Sequence, residues 1–284
     1  VQLRTAALPT PDLRTIARIH LIIWMVVIVL AAALTDVAAE HPEQDDQLAG
    51  KTGVEFQPRL GEYHYEIQWA RQRVATGIIA IRKDGDQYVL TADKRTTKFI
   101  DRIYRVRYRG ETRIDADALT PSESVIEEEI KKRKKVQEAT YDTASVSVAV
   151  EETRTKGKRA DTKTKTYELQ SDTGILDAFS AIFLARSFDW SVGERHAFFV
   201  FIGEKQYEVS MDCIGRSKFE IEGQRIPVWV IQPSVRKTTE DKPSSVSRKT
   251  QVFIAANESK DIVKIETEPG IGTVTLRLVR YLEK

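Results

Sequence analysis

Gly61-Glu-Tyr-His-Tyr-Glu-Ile-Gln-Trp69 decides the fold. Tyr63, Tyr65, Ile67 and Trp69 alternate with Glu62, His64, Glu66 and Gln68, and successive side chains of an extended chain leave opposite faces. One face is therefore aromatic and apolar and the other polar. This is the pattern of a strand half-buried in an antiparallel sheet. Tyr63, Tyr65, Ile67 and Trp69 are the candidates for an apolar concave face.

The same period recurs on both sides of a tight turn further along. Residues 77–81 and 88–92 flank Asp84-Gly85, a pair suited to the positive φ of a hairpin. Tyr104, Val106 and Tyr108 then alternate with Arg105, Arg107 and Arg109, a strand with a basic outer face. Those arginines are candidates for contact with anionic lipid or an acidic partner. The run EEEIKKRKK (127–135) lacks a helical apolar stripe and reads as a charged hairpin or edge strands, where lysines discourage strand addition. Residues 145–150 and 162–167 read as two thin strands around Lys156-Gly157-Lys158.

One helix is expected, at about 173–186. Leu176, Phe179 and Phe183 recur at helical spacing behind Ser171-Asp172-Thr173, any of which can cap it. The remainder returns to strands at 197–202, 206–213, 218–221, 226–231, 250–254, 262–266 and 273–281. A Ser, Thr and Lys-rich stretch at 233–249 reads as a mobile loop. The fold class is thus mostly β: a large curved antiparallel sheet or half-barrel with one packed helix.

Upstream, Arg4, Arg14 and Arg18 precede an uncharged run from 19 to 35, and Asp36, Glu40, Glu43, Asp45 and Asp46 come after it without a cation. That charge order keeps the basic side in the cytoplasm and sends the downstream chain across the membrane. As a helix, the 17 residues of the run reach about 26 Å, at the lower edge of what spans a bilayer. The anchor candidates are Ile19, Leu21, Ile22, Ile23, Trp24, Met25, Val26, Val27, Ile28, Val29 and Leu30. Val37-Ala38-Ala39 also fits a cleaved signal peptide. Three parts result: a signal-anchor helix (1–39), an acidic tether (40–60) and a β domain (61–284). The expected location is the bacterial inner membrane, with the amino terminus cytoplasmic and the β domain periplasmic.

Composition excludes more than it selects. The chain carries 44 Lys and Arg against 42 Asp and Glu, a net charge of +2, so no global field recruits nucleic acid. The lone Cys213 makes no internal disulfide, and it shares an alternating strand face with Tyr207, Val209 and Met211, so it reads as a core residue. Four histidines without HExxH, and a single cysteine without CxxC, offer no zinc motif. Asp177, Ser180 and His196 supply the atoms of a triad, but no strained nucleophile turn surrounds the serine, so Asp177 and Ser180 read as orienting the helix. Gly270-Ile271-Gly272 leads into a strand and reads as a turn, not a phosphate loop. No metal, cofactor or small-molecule substrate is expected.

The order GEYHYEIQWARQRVATGIIAI, a hairpin, IYRVRYRG, LTP, the helix DAFSAIFLAR, VGERHAFFVFIGEKQYEVSM and a closing IGTVTLRL resembles the DUF3108 family over most of residues 60–284. The opening Gly61 to Trp69, the Asp177, Ser180 and Arg186 spacing and the Gly272 ending carry the resemblance. It implies an exported bacterial envelope protein without assigned activity, with a layout similar to LolA-like lipid and lipoprotein carriers. The charged insert around Lys156 departs from that pattern. Two expectations result. The first is a non-enzymatic anchored accessory subunit whose β domain packs on an inner-membrane complex, with integral membrane proteins and membrane lipid as partners. The second is a soluble periplasmic carrier of a lipid or acylated peptide. A hydrolase is a distant third.

Overall fold

The structure is a computed structural model and describes residues 56–157, 159–171, 174–202, 205–237, 250–268 and 272–284. The expected anchor and nearly all of the tether lie outside the described residues. Eight strands come first: β1 (Gly61–Trp69), β2 (Gln72–Asp84), β3 (Gln87–Thr96), β4 (Val106–Asp115), β5 (Pro121–Ile130), β6 (Arg133–Tyr141), β7 (Ser145–Lys156) and β8 (Arg159–Gln170). A short helix α1 (Lys98–Tyr104) joins β3 to β4, and helix α2 (Ala178–Ser187) comes after β8. Six strands complete the chain: β9 (Arg195–Ile202), β10 (Lys205–Ile221), β11 (Gln224–Lys237), β12 (Gln251–Ala255), β13 (Ile262–Thr267) and β14 (Val274–Glu283).

All fourteen strands form one sheet, in the order β8-β7-β6-β5-β4-β3-β2-β1-β14-β13-β12-β11-β10-β9. Every neighbour is antiparallel, so the chain makes two meanders, and the pairing of β1 with β14 fuses them. The register runs from Gly61 opposite Glu283 to Trp69 opposite Val274. It places Tyr65 opposite Leu278 and Ile67 opposite Leu276, so both meanders turn their apolar parity to the same side.

A twisted sheet of this width curls. Its two outer edges approach across the segment leading into α2. Leu176 forms a parallel bridge with Val200, the Phe201 N–H donates to the Leu176 carbonyl at 2.7 Å, and the Tyr167 and Phe201 rings lie 6.4 Å apart. Val146, Val148, Val150, Ile175 and Phe201 form a small second core at this seam. The main core lies on the concave side, where Tyr63, Tyr65, Ile67, Leu90, Phe179, Phe183, Ile254 and Leu278 are buried together. The expected curved sheet is therefore correct, with its edges bridged rather than laddered to each other.

Several local expectations hold. Asp84 pairs with Gln87 and Gly85 takes φ +60°, closing the first hairpin. The EEEIKKRKK run is a hairpin, with Glu129 opposite Lys134 and Glu128 opposite Lys135. The thin strands around Gly157 are β7 and β8, and β8 is exposed along most of its length.

Other expectations need correction. Helix α2 begins at Ala178, about five residues late, because its cap is Asp177 and not the Ser171-Asp172-Thr173 group. Leu176 belongs to the extended bridge before it. Helix α1 is an addition to the expected elements. It has only 7 residues and fully buries only Tyr104, so it writes no apolar stripe. The stretches 206–213 and 218–221 are one strand, β10, with a register shift between Cys213 and Gly215. The loop placed at 233–249 starts too early, since residues 233–237 belong to β11 opposite residues 211 to 207. Proline is tolerated there because β12 pairs only with Val228–Ile231, leaving Pro233 where β11 has no second neighbour. Among the described residues no helix is long and apolar enough to cross a membrane.

The fused register makes a local prediction. Leu278, 1% exposed and opposite Tyr65, lies on the strand that joins the two meanders. Leu278→Ala should cost about 2–5 kcal/mol and lower the urea midpoint of both meanders together. Separate transitions for the two halves in chemical denaturation would contradict a single cooperative sheet.

Candidate functional site

Helix α2 lies on the concave face and is fastened at both ends. At its start, Asp177 accepts the Ser180 N–H at 2.7 Å while the Asp177 N–H donates to Ser180 Oγ at 2.9 Å, a reciprocal capping box. Thr112 on β4 donates its hydroxyl to the second Asp177 oxygen at 2.7 Å, tying the cap to the sheet. Burial pushes the Asp177 carboxyl up, and its hydrogen bonds to Ser180 and Thr112 oppose the shift. Gly110, one inward position from Thr112, makes the seat. A Cβ there would lie 3.0 Å from the Phe179 ring, so the helix approaches as closely as it does because the side chain is missing.

At its end, Arg186 donates to Asp261 at 2.8 Å and to the carbonyls of Ser259 and Lys260, each at 2.9 Å. Arg186 and Asp261 are 5% and 2% exposed, and Arg59 bonds the other Asp261 oxygen. The guanidinium also stacks within 6 Å of the Phe56, Tyr63 and Phe183 rings. A buried charge pair of this kind is costly to break from one side, because the partner is left unpaired.

Between the two fastenings, an apolar cavity of ≈ 90 Å³ separates the helix from the sheet. Tyr63, Tyr65, Ile67, Ile79, Leu90, Ala92, Phe179, Ile182, Ile265 and Leu276 line it, with Asp93, Lys94, Tyr108 and Arg186 as its polar members. It is of the same order as apolar cavities that stay dry and take up small apolar molecules. The Tyr65 hydroxyl is spent on the Ile262 carbonyl at 2.9 Å.

One cross-strand row breaks the apolar face. Lys94, Tyr108 and Glu128 stand directly opposite one another on β3, β4 and β5. Lys94 and Glu128 are 6% and 4% exposed. The Lys94 ammonium lies 5.2 Å from the Tyr108 ring centre, and burial lowers its pKa to about 8, the attraction of Glu128 offsetting this only in part. Both Glu128 carboxylate oxygens are buried without a hydrogen-bond partner among the described residues. A buried carboxylate without a hydrogen bond is costly, so its position calls for a reason.

Of the candidate concave residues, Tyr63, Tyr65 and Ile67 line the cavity, and Trp69 packs at the margin of the core without lining it. Arg105, Arg107 and Arg109 fall on the opposite face. Each has an acidic neighbour: Glu129 at 3.4 Å, Asp101 at 2.5 Å and Asp93 at 3.4 Å respectively. Ser180 is fully buried in the capping box, while His196 stacks on Phe188 at 3.9 Å, so the three triad atoms are not brought together. Cys213 is buried on the face of Val209 and Met211, and burial raises its thiol pKa. Among the described residues no group of three His, Cys, Asp or Glu is placed to hold a metal. Lys94, Glu128, Thr112 and Asp261 are site residues that the sequence reading does not single out. For the first two a signal exists: Lys94 comes after Leu90 and Ala92, and Glu128 sits between Ile126 and Ile130, at inward positions of their strands.

A barrel-like β domain with a buried charged row beneath a fastened helix defines the class of this protein. The chain belongs to the family described as "Protein of unknown function (DUF3108)", whose match spans residues 64–279. Among solved structures it is similar to a β-barrel-like protein of domain of unknown function DUF1849 from Brucella abortus. That likeness has a TM-score of 0.51 and 10% identity, and covers 82% of this chain and 100% of the other. At that identity the likeness is one of fold. No curated protein matches the sequence.

Two predictions rest on this geometry. Arg186→Met leaves Asp261 with Arg59 alone, and should cost about 3 kcal/mol with faster amide exchange in α2 than in β1. Unchanged exchange across α2 would mean the ion pair does not fasten it. Lys94 titrates near 8 in the folded chain against 10.5 ordinarily, so the unfolded chain holds the extra proton between those values. Its burial therefore weakens the fold at and below pH 8, and the loss is recovered as pH rises toward 10.5. Lys94→Met should be more stable than the parent by roughly 2–3 kcal/mol at pH 7. In denaturant titrations at stepped pH, that advantage should shrink above about pH 8.

Proposed function

We propose that the β domain is a non-enzymatic binding module for an amphiphile, a lipid or an acylated peptide, held between α2 and the concave sheet. The observation that carries this reading is the buried Lys94–Tyr108–Glu128 row, whose lysine end opens on an apolar cavity. An alkyl chain suits the cavity wall. A head group with an acceptor for Lys94 suits its polar end, as the phosphate of a lipid or the carbonyl of an acylated peptide would. The charge order of the first 46 residues supports a periplasmic setting, with residues 1–39 as an anchor or a signal. The reading as an accessory subunit of an inner-membrane complex rests on that same segment, outside the described residues.

Titration of the purified full chain with a fluorescent fatty acid, cis-parinaric acid, tests the proposal. One saturable site per chain is expected. Ile182→Trp, which fills the cavity from the helix side, should abolish it. Lys94→Met should weaken it about tenfold or more, in line with a lost charge-assisted hydrogen bond. Binding to the parent should also weaken as pH rises through about 8, where Lys94 loses its proton. Absence of saturable binding, or equal binding by Ile182→Trp, overturns the reading.

A further inference from the structure

The connections between strands sort by charge onto opposite rims of the first meander. On one rim lie α1 and the β5–β6 and β7–β8 turns, hydrogen-bonded into one ledge. The Lys131 N–H donates to the Arg105 carbonyl at 3.0 Å and the Thr155 N–H to the Lys132 carbonyl at 2.9 Å. This ledge exposes Lys98, Arg102, Lys131, Lys132 and Lys156. The only acid of α1, Asp101, is taken by Arg107 at 2.5 Å.

The other rim carries the β2–β3, β4–β5 and β6–β7 turns, residues 85–86, 116–120 and 142–144. These turns expose Asp86, Asp117 and Asp142 and hold no Lys or Arg, the nearest exposed cations being Arg82 and Lys83 at the end of β2. The meander is thus basic at one end and acidic at the other.

Two apolar side chains stand on the basic ledge. Phe99 and Ile103 are one helical turn apart on α1, and 67% and 51% exposed. They are the two most exposed large apolar residues of α1 and face outward where its Tyr104 faces the core. Apolar prongs set among cations on an exposed rim make a surface that enters the headgroup layer of an anionic bilayer while its lysines meet the phosphates.

We infer that the α1 ledge is a peripheral membrane-contact surface, which sets the basic rim against an anionic bilayer with Phe99 and Ile103 inserted. The acidic rim points away, since its carboxylates are repelled by the same surface. This contact does not rest on the amphiphile site, and the two fail separately. It moves the lipid contact from the outer-face arginines, whose charges are met by acids, to the turns, where no acidic partner is found among the described residues.

Because Cys213 is buried, a single introduced thiol can carry a polarity-sensitive fluorophore in the full chain. Phe99→Cys labels the ledge and Asp117→Cys the opposite rim. With vesicles containing phosphatidylglycerol, the ledge label should shift to the blue and the Asp117 label should not. Phosphatidylcholine vesicles alone should leave both unchanged. High salt should reverse the shift, as screening requires. Lys131→Gln with Lys132→Gln should weaken the vesicle dependence about thirtyfold, at roughly fivefold per lost cation. An equal shift on neutral vesicles, a shift at Asp117, or no shift at Phe99 overturns the assignment. A shift at Phe99 only when an acidic protein is added also overturns it, and makes the ledge a protein interface.

Discussion

The pairing of β1 with β14 is the constraint on which the rest of the molecule depends. Without it there are two separate meanders, each with one apolar face and nothing to cover it. With it, Tyr65 meets Leu278 and Ile67 meets Leu276, the two apolar faces become one, and a single concavity forms. A slip of one residue would turn the aromatic face of β1 outward and break the core on both sides of the join. Phe56 and Arg59, just before β1, then reach the helix and its ion pair, so the entry to the domain is fixed by the same strand.

A concavity this wide has to be filled, and one ten-residue helix fills it. The helix does not depend on apolar packing alone. Asp177 with Thr112 and Arg186 with Asp261 fix its two ends by directional bonds to strands on opposite sides of the join, β4 in one case and the start of β13 in the other. The space between is left to softer contacts, and there the cavity lies. Rigid ends and a loosely packed middle are what the proposed ligand site requires, since the helix can yield there while its fastenings hold.

Much of the sheet is legible in the sequence because a period of two is a local signal. GEYHYEIQW, the Asp84-Gly85 turn and the closing Val274, Leu276 and Leu278 each report their own strand. The cap of α2 is not legible, for the opposite reason: Ser171-Asp172-Thr173 and Asp177 are all chemically able to cap, and only contact with Thr112 selects among them. The partners of Arg186 are equally invisible, since Asp261 lies 75 residues away. The arginine ladder declares itself as an outer face. Its neutralisation by Asp93, Asp101 and Glu129 depends on which strands are neighbours, which no single strand states. Lys94 and Glu128 do carry a local mark, because each puts a charge on the apolar parity of its strand.

The β1–β14 join also fixes an order of events. The partner that completes the middle of the sheet, β14, follows every other described strand, so the join cannot form before residues 274–283 are made. Contacts of such long sequence separation form late and slowly. The shared interior of the two meanders is therefore among the last parts to form. The edge of β1 stays open to other strands until β14 arrives.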